Sequence, residues 1–275
     1  MNTQLSYIEK TSLLRQAKKV EKLRLKKVSV SLALFLFLFI SNITTLQAQD
    51  SAKNNFNLDL HLKNMHLWQG SVVTASPMVA SSIEYVTDDQ KFVAGLWGGV
   101  SFDGSYKEFS YYTTYRFTDN FFTQLISHNN YSNMTKPNMF SYNKYNSPNF
   151  LDIVFSYTLS DCVPATFMLS TILFGQAGDH VIATDGSVSN SYSNYAELNY
   201  RLLQNNNTQI NAFVGGAFSL ATEKTFYSDR PAIVNLGFTL TKKLSIFNKA
   251  IPVSGTAFWN PYTGLGALQI DISLF

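Results

Sequence analysis

Phe56-Asn57-Leu58-Asp59-Leu60-His61-Leu62-Lys63 alternates without a break. Successive side chains of an extended strand point to opposite faces, so Phe56, Leu58, Leu60 and Leu62 share one face and Asn57, Asp59, His61 and Lys63 the other. Three ionisable groups on one face fix its direction. Facing lipid near the midplane, a charged side chain costs ~2–4 kcal/mol, so that face belongs to a polar lumen and the apolar face to lipid. The stretch therefore predicts one strand of a transmembrane β-barrel, with Trp68 just beyond it at the level of an interfacial aromatic girdle.

The pattern recurs to the end of the chain. Phe109, Tyr111, Tyr115 and Phe117 oppose Glu108, Tyr112 and Arg116; Leu151, Ile153, Phe155, Tyr157 and Leu159 oppose Asp152, Ser156 and Thr158. Tyr192, Ala196, Leu198, Tyr200 and Leu202 oppose Glu197, Asn199 and Arg201, and Val234, Leu236, Phe238 and Leu240 oppose Asn235, Thr239 and Thr241. Further candidates lie at 78–86, 92–101, 121–130, 165–174, 208–218, 251–260 and 265–275. Together these predict an all-β, antiparallel up-and-down transmembrane β-barrel of about twelve strands.

The connections alternate in length. Thr87-Asp88-Asp89-Gln90, Thr118-Asp119-Asn120, Ser160-Asp161 and Gln204-Asn205-Asn206-Asn207 are turn-sized, whereas 131–149 and 175–190 are long. One connection on the turn side, 242–249, breaks the rhythm by its length. A secreted β-sandwich or lipocalin-like barrel shares the alternation, with its apolar face turned inward. Strand length near ten, the aromatic load, the even strand number, the sorted connections and the final Phe275 favour the membrane. At the C-terminus, Leu268, Ile270, Ile272 and Leu274 form the apolar row, and Phe275 falls in line with Gln269, Asp271 and Ser273.

The N-terminal part has another character. Lys18, Lys19, Lys22, Arg24, Lys26 and Lys27 precede an apolar run over 28–40, and Leu46-Gln47-Ala48 makes a cleavage site. The run is shorter than the ~20 residues a spanning helix needs, so 1–48 is expected to be a cleaved signal peptide and 49–275 the barrel. Segment 1–48 holds 8 of the 21 Lys+Arg and 2 of the 18 Asp+Glu, which leaves 13 basic against 16 acidic residues. The chain pI of about 8.8 thus stems from the presequence and implies no nucleic-acid binding. Charged residues make up 14% of the chain against ~25% in soluble domains, while mean hydropathy stays at −0.03. Cys162 is the only cysteine; it cannot form an intramolecular disulfide and reads as a buried or turn thiol.

Segment 62–117 resembles the TorF-type porin family of exported bacterial proteins. The matching stretches are Leu67-Trp68-Gln69-Gly70, Pro77, Leu96-Trp97-Gly98 and Lys107-Glu108-Phe109. The family motifs are an early aromatic-Arg-Gly turn, a following Pro, a Trp-Gly in the third strand and an acidic residue entering the fourth. Gln69 stands where the family has Arg, so no cation role carries over to it. The Asn/Tyr/Phe-rich strands and the Ala-Gln cleavage region are also similar to proteins of Bacteroidota. The resemblance implies an outer-membrane channel, with outer-membrane lipid and the barrel-assembly machinery as partners.

From the alternation, the inward ionisable set is Asp59, His61, Lys63, Glu84, Glu108, Arg116, Asp152, Glu197, Arg201 and Asp271. Both signs are present, so these residues either pair across a narrow lumen or line an aqueous path for small solutes or ions. Two rival functions use other residues. A lipid-acting barrel enzyme would draw on Ser127-His128-Asn129-Asn130 with Ser132 nearby, although no Gly-x-Ser-x-Gly elbow occurs. A surface-binding barrel would use the two long loops. No catalytic set, cofactor motif or metal site is predicted: His61, His66, His128 and His180 include no i,i+4 pair, and 178–186 lacks EF-hand spacing. Gly95, Gly98 and Gly99 fall inside a strand pattern, where glycine permits curvature or close packing.

Overall fold

The computed structural model describes residues 55–132, 134, 136–175, 178–246 and 248–275. The expected signal peptide, 1–48, lies outside the described residues. Sixteen strands follow one another, and no helix occurs among the described residues. They are β1 (Phe56–Lys63), β2 (His66–Trp68), β3 (Ser71–Thr74), β4 (Met78–Val86), β5 (Phe92–Ser101) and β6 (Lys107–Thr118). Then come β7 (Phe121–Asn129), β8 (Asn149–Thr158), β9 (Ala165–Gly175), β10 (His180–Ile182) and β11 (Val188–Asn190). The last are β12 (Ser193–Gln204), β13 (Thr208–Ser219), β14 (Ala232–Ile246), β15 (Lys249–Asn260) and β16 (Leu265–Ser273).

Twelve of them close an antiparallel barrel in the ring order β1-β16-β15-β14-β13-β12-β9-β8-β7-β6-β5-β4. The remaining four form two separate hairpins, β2–β3 and β10–β11, within connections on the loop side. Closure joins the quoted first strand to the last, with Leu62 opposite Ile272 and Lys63 opposite Asp271. A closed ring leaves no unpaired edge, which is the condition for crossing lipid with strands.

Strand parity divides the wall as the alternation predicts. Ile83 and Tyr85, Leu96, Tyr115 and Phe117, Phe155 and Tyr157, Leu198 and Tyr200, Leu236 and Phe238, and Leu268 and Ile270 are all exposed on the outside. All six carboxylates in the barrel strands, Asp59, Glu84, Glu108, Asp152, Glu197 and Asp271, lie on the opposite, inward rows. Near the turns, outward rings touch in a chain from Tyr115 through Phe117 and Phe121 to Tyr157. Phe275 keeps the inward parity of Asp271, and its carbonyl accepts the Leu60 N–H at 3.3 Å.

Two expectations about connections change. The long turn-side connection at 242–249 disappears: β14 and β15 pair down to Ile246 opposite Lys249, leaving only 247–248 between them. Asn248 takes a left-handed φ of 61° to close that turn. Trp68 does not join an exterior girdle. It belongs to the β2–β3 hairpin, which folds into the barrel. Cys162 is exposed, in the turn between β8 and β9.

The inner wall explains most strand glycines by close approach. Gly95 lies between Glu84 and Tyr112 in register, and a Cβ there would stand 2.2 Å from the Tyr112 ring, which crosses the glycine to donate to Glu84 at 2.7 Å. Gly215 repeats the device beneath Tyr195, whose hydroxyl accepts from Asn235 at 2.8 Å across the strand. Gly98 faces outward, with its nearest atom 3.9 Å from an added Cβ.

Candidate functional site: a lumen crossed by an inward hairpin

The lumen narrows at its loop end because the connection 64–77 turns inward. Leu67 N–H donates to the Gln269 side chain of β16 at 2.9 Å, and Asn260 of β15 donates to the Gly70 carbonyl at 2.9 Å. Gly70, at φ 82°, lies against β14: a Cβ would fall 2.1 Å from the Val234 carbonyl oxygen. From that anchorage Trp68 reaches the far wall. Its ring lies 5.3 Å from His128 on β7 and 5.9 Å from Phe150 on β8. In the ring order β15 and β7 are six places apart of twelve, so the hairpin spans the lumen from one side to the other.

A second segment, 220–231, packs beside it. Phe226 and Tyr227 lie 6.0 and 5.7 Å from the Trp68 ring, and Tyr227 donates to the Gln69 side chain. Ser193 of β12 accepts the Phe226 N–H at 2.7 Å. The two apolar clusters among the described residues lie at this level: Met78, Ala80 and Tyr106 with Val73 and Trp97, and Tyr195, Ala217 and Val234 with Tyr227. The loop end of the barrel thus has a packed core that the wall alone would not supply.

Beside the hairpin a cavity of about 770 Å³ is left, offset toward β5–β8. It runs from mid-wall, at Tyr112 and Gln124, up to Met134 and Pro148 in the loops. His66 and Trp68 of the hairpin form one side; Trp97, Glu108, His128 and Phe150 form the other.

Every residue in the expected inward set has inward parity, but the set is not one site. Lys63 and His61 converge on Asp271, at 3.3 and 2.8 Å. Glu108 and Asp152 flank His128, at 3.6 Å from Nδ1 and 3.7 Å from Nε2, and Phe150 stacks on the imidazole at 4.5 Å. Ser170 donates to both Asp152 oxygens, at 2.8 and 2.7 Å, while Tyr106 and Ser110 donate to Glu108 at 2.9 and 3.0 Å. These contacts join neighbouring strands along the wall rather than pairing charges across the lumen. Facing residues are held apart by the width of the barrel and by the hairpin between them, whereas register brings neighbours within reach. Arg116 is exposed at the turn end, and Arg201 stands 3.9 Å from Asp161 at the turn mouth. Asp59 and Glu84 take hydrogen bonds from Ser82 at 3.3 Å and Tyr112 at 2.7 Å. Glu197 accepts from Tyr195 and Asn235.

The rival enzyme constellation does not assemble from its local stretch. Ser127 and Asn129 face outward and His128 faces inward, so the imidazole is on the other side of the wall from the hydroxyl. Ser127 instead accepts from Tyr142 at 2.6 Å and donates to Asn129 at 3.0 Å, under the loop 130–148. Tyr142 also meets Tyr111 at 2.5 Å, and burial first, then Tyr111, pushes its phenol up to about 12.

Alternation could not reveal His66, Phe226 and Tyr227 as lumen residues, since none lies on a barrel strand. His66 rests against Trp97 at 5.7 Å and Tyr106 at 5.8 Å, and its Nδ1 is buried with no hydrogen-bond partner among the described residues. Enclosure chiefly, and then the Lys63 charge, lower its pKa to about 4.

No family model matches the chain, and no curated protein matches it. Among solved structures it is similar to one described as "NanC porin structure in rhombohedral crystal form", at 7% identity and a TM-score of 0.44. The similarity covers 79% of this chain and 98% of that one. The twelve-strand closure stands on the register of this chain's own strands.

Proposed function

We propose that this chain is an outer-membrane porin-like barrel, a narrow passive channel for small solutes or ions. The cavity beside the inward hairpin carries the reading. A lumen meant only to be closed could be packed throughout, yet here an elongated space with mixed polar and aromatic walls leads from mid-barrel to the loops. The apolar exterior belt supports residence in a bilayer, with outer-membrane lipid against it and the barrel-assembly machinery as the inserting partner. Export through the segment 1–48 and membership of the TorF-type porin family belong to the same proposal. In that reading the family's Trp68, Gly70 and Pro77 build the hairpin, and Trp97, Gly98 and Glu108 belong to the wall facing it.

Planar-bilayer recording of the purified, refolded protein is the test. Discrete conductance steps above background are expected. A barrel that inserts yet gives no such steps in repeated recordings would overturn the channel function.

A further inference from the structure

We propose that the lumen passes small cations in preference to anions, and that Glu108 sets this preference at the narrow level beside the hairpin. The inference deepens the channel reading and rests on it. It comes from the distribution of charge along the inner wall together with the cavity that the charges line.

The barrel strands carry six inward carboxylates and four inward cations, Lys63, Arg116, Arg201 and Lys243. Three of the four cations sit by the turns. Arg116 is opposite Phe122, Arg201 opposite Asn211, and Lys243 opposite Pro252, each within a few residues of its strand's turn. From mid-barrel to the loop end, the wall carboxylates therefore face Lys63 and the histidines His61 and His128.

At the narrow level these three groups are already engaged. Lys63, which also lines the cavity, and Asp271, 3.3 Å apart, sum to zero, and His61 lies 2.8 Å from the same carboxylate. His128 has a carboxylate on each side, Glu108 and Asp152, so the trio keeps at least one negative charge even when the imidazole carries a proton. Asp152 is 1% exposed and held by Ser170. Glu108 is the member of the pair that lines the cavity, so it is the one a passing ion meets. Low-dielectric walls focus such a field.

Among the described residues no group of three His, Cys, Asp or Glu side chains is placed to hold a metal ion. The carboxylates are spread along the path and satisfied by Tyr, Ser and Asn donors. They would attract cations without trapping them, which conduction requires.

The test is the reversal potential of the refolded full chain in a tenfold KCl gradient. The expected sign is that of K⁺, with a permeability ratio over Cl⁻ of about ten in dilute salt. The ratio should shrink as salt is raised and the Debye length falls from ~30 to ~3 Å. Glu108→Gln should lower the ratio about sevenfold, since one unit charge at ~7 Å in water attracts the cation and repels the anion by a factor of about 2.7 each. Glu84→Gln, below the hairpin contacts, is the second variant should the first not refold, and should shift it the same way. A reversal potential at zero or of the Cl⁻ sign overturns the proposal while leaving a channel. Ratios unchanged in both variants overturn the assignment to the wall carboxylates, and absence of any current removes the channel reading and this one together.

Discussion

Gly70→Ala should release the hairpin from the lumen while sparing the barrel. The residue adopts φ 82°, where an L-residue costs ~1–2 kcal/mol more than glycine. The new methyl would also lie 2.1 Å from the Val234 carbonyl oxygen and 2.8 Å from its carbon, both backbone atoms of β14. A ladder strand cannot yield by the required ångström, so the hairpin must move. That movement breaks the buried bond from Asn260 to the Gly70 carbonyl, worth ~1–3 kcal/mol when its partner is left unsatisfied. A total near 3 kcal/mol shifts the docking equilibrium about a hundredfold. The wall should not feel it, because β2 and β3 pair only with each other. Limited proteolysis of the folded protein should then cut within 64–77 where wild type is protected, and single-channel conductance should rise. Gly98→Ala is the control: its methyl points outward with nothing closer than 3.9 Å, and it should behave as wild type. Retained protection and unchanged conductance in Gly70→Ala would refute the claim that this contact pins the hairpin.

Acid should loosen the same hairpin through His66. Above pH 6.5 the ring is neutral whether docked or free; between 6.5 and about 4 only the free hairpin takes the proton, so docking weakens by up to ~3 kcal/mol and then levels off. Protease sensitivity within 64–77, followed from pH 7 to 4, should rise over that window in wild type and stay flat in His66→Phe. Tyr142→Phe should free the loop 130–148 by ~1 kcal/mol, since its hydroxyl ties Ser127 and Tyr111 to the loop. Faster hydrogen exchange confined to that loop is the expected signature, and exchange equal to wild type would mean that other contacts hold it.

The wall was legible because each strand states its own parity. Met78–Val86 and Phe92–Ser101 have the same ends in sequence and structure, bounded by Pro77 and by the Thr87–Lys91 turn. Inward parity of the ionisable residues follows from the same rule. The hairpin was not legible, since what docks it lies about 200 residues away in Gln269 and Asn260. A local signal did exist. The connection 64–77 carries two apolar pairs, Leu67-Trp68 and Val72-Val73, far too short to span a bilayer, and Gln69-Gly70 between them is suited to a tight turn. Such a hairpin needs cover of its own, and for a connection on the loop side the lumen supplies it. Pairings within the inward set were hidden too, because parity tells which face a residue takes and not the register that sets Lys63 opposite Asp271.

The outer wall bears on the role of the longest connection. On β14 the exposed apolar residues reach from Ile246 and Leu244 at the turn end, past Lys242, through Leu240, Phe238 and Leu236 to Ile233 at the loop end, but on β7 they end at Leu125. Beyond Leu125 the outward positions are Ser127 and Asn129, with Asn149 opposite on β8, and all three are almost fully buried. In the proposed membrane-spanning reading, polar groups facing outward near the end of the wall must find partners, since lipid offers none. The loop 130–148 supplies them: Tyr142 donates to Ser127, and Asn149 donates to the carbonyls of Asn138 and Ser141 at 2.7 and 2.9 Å. Phe140 and Phe174 close the edge of this patch by packing against Tyr111 and Tyr142. In this cover Tyr142 acts through its side chain, and Asn138 and Ser141 act through their backbone carbonyls. On the β6–β8 side the exposed apolar belt ends below Ser127, and the loop 130–148 covers the wall from there toward the loop mouth.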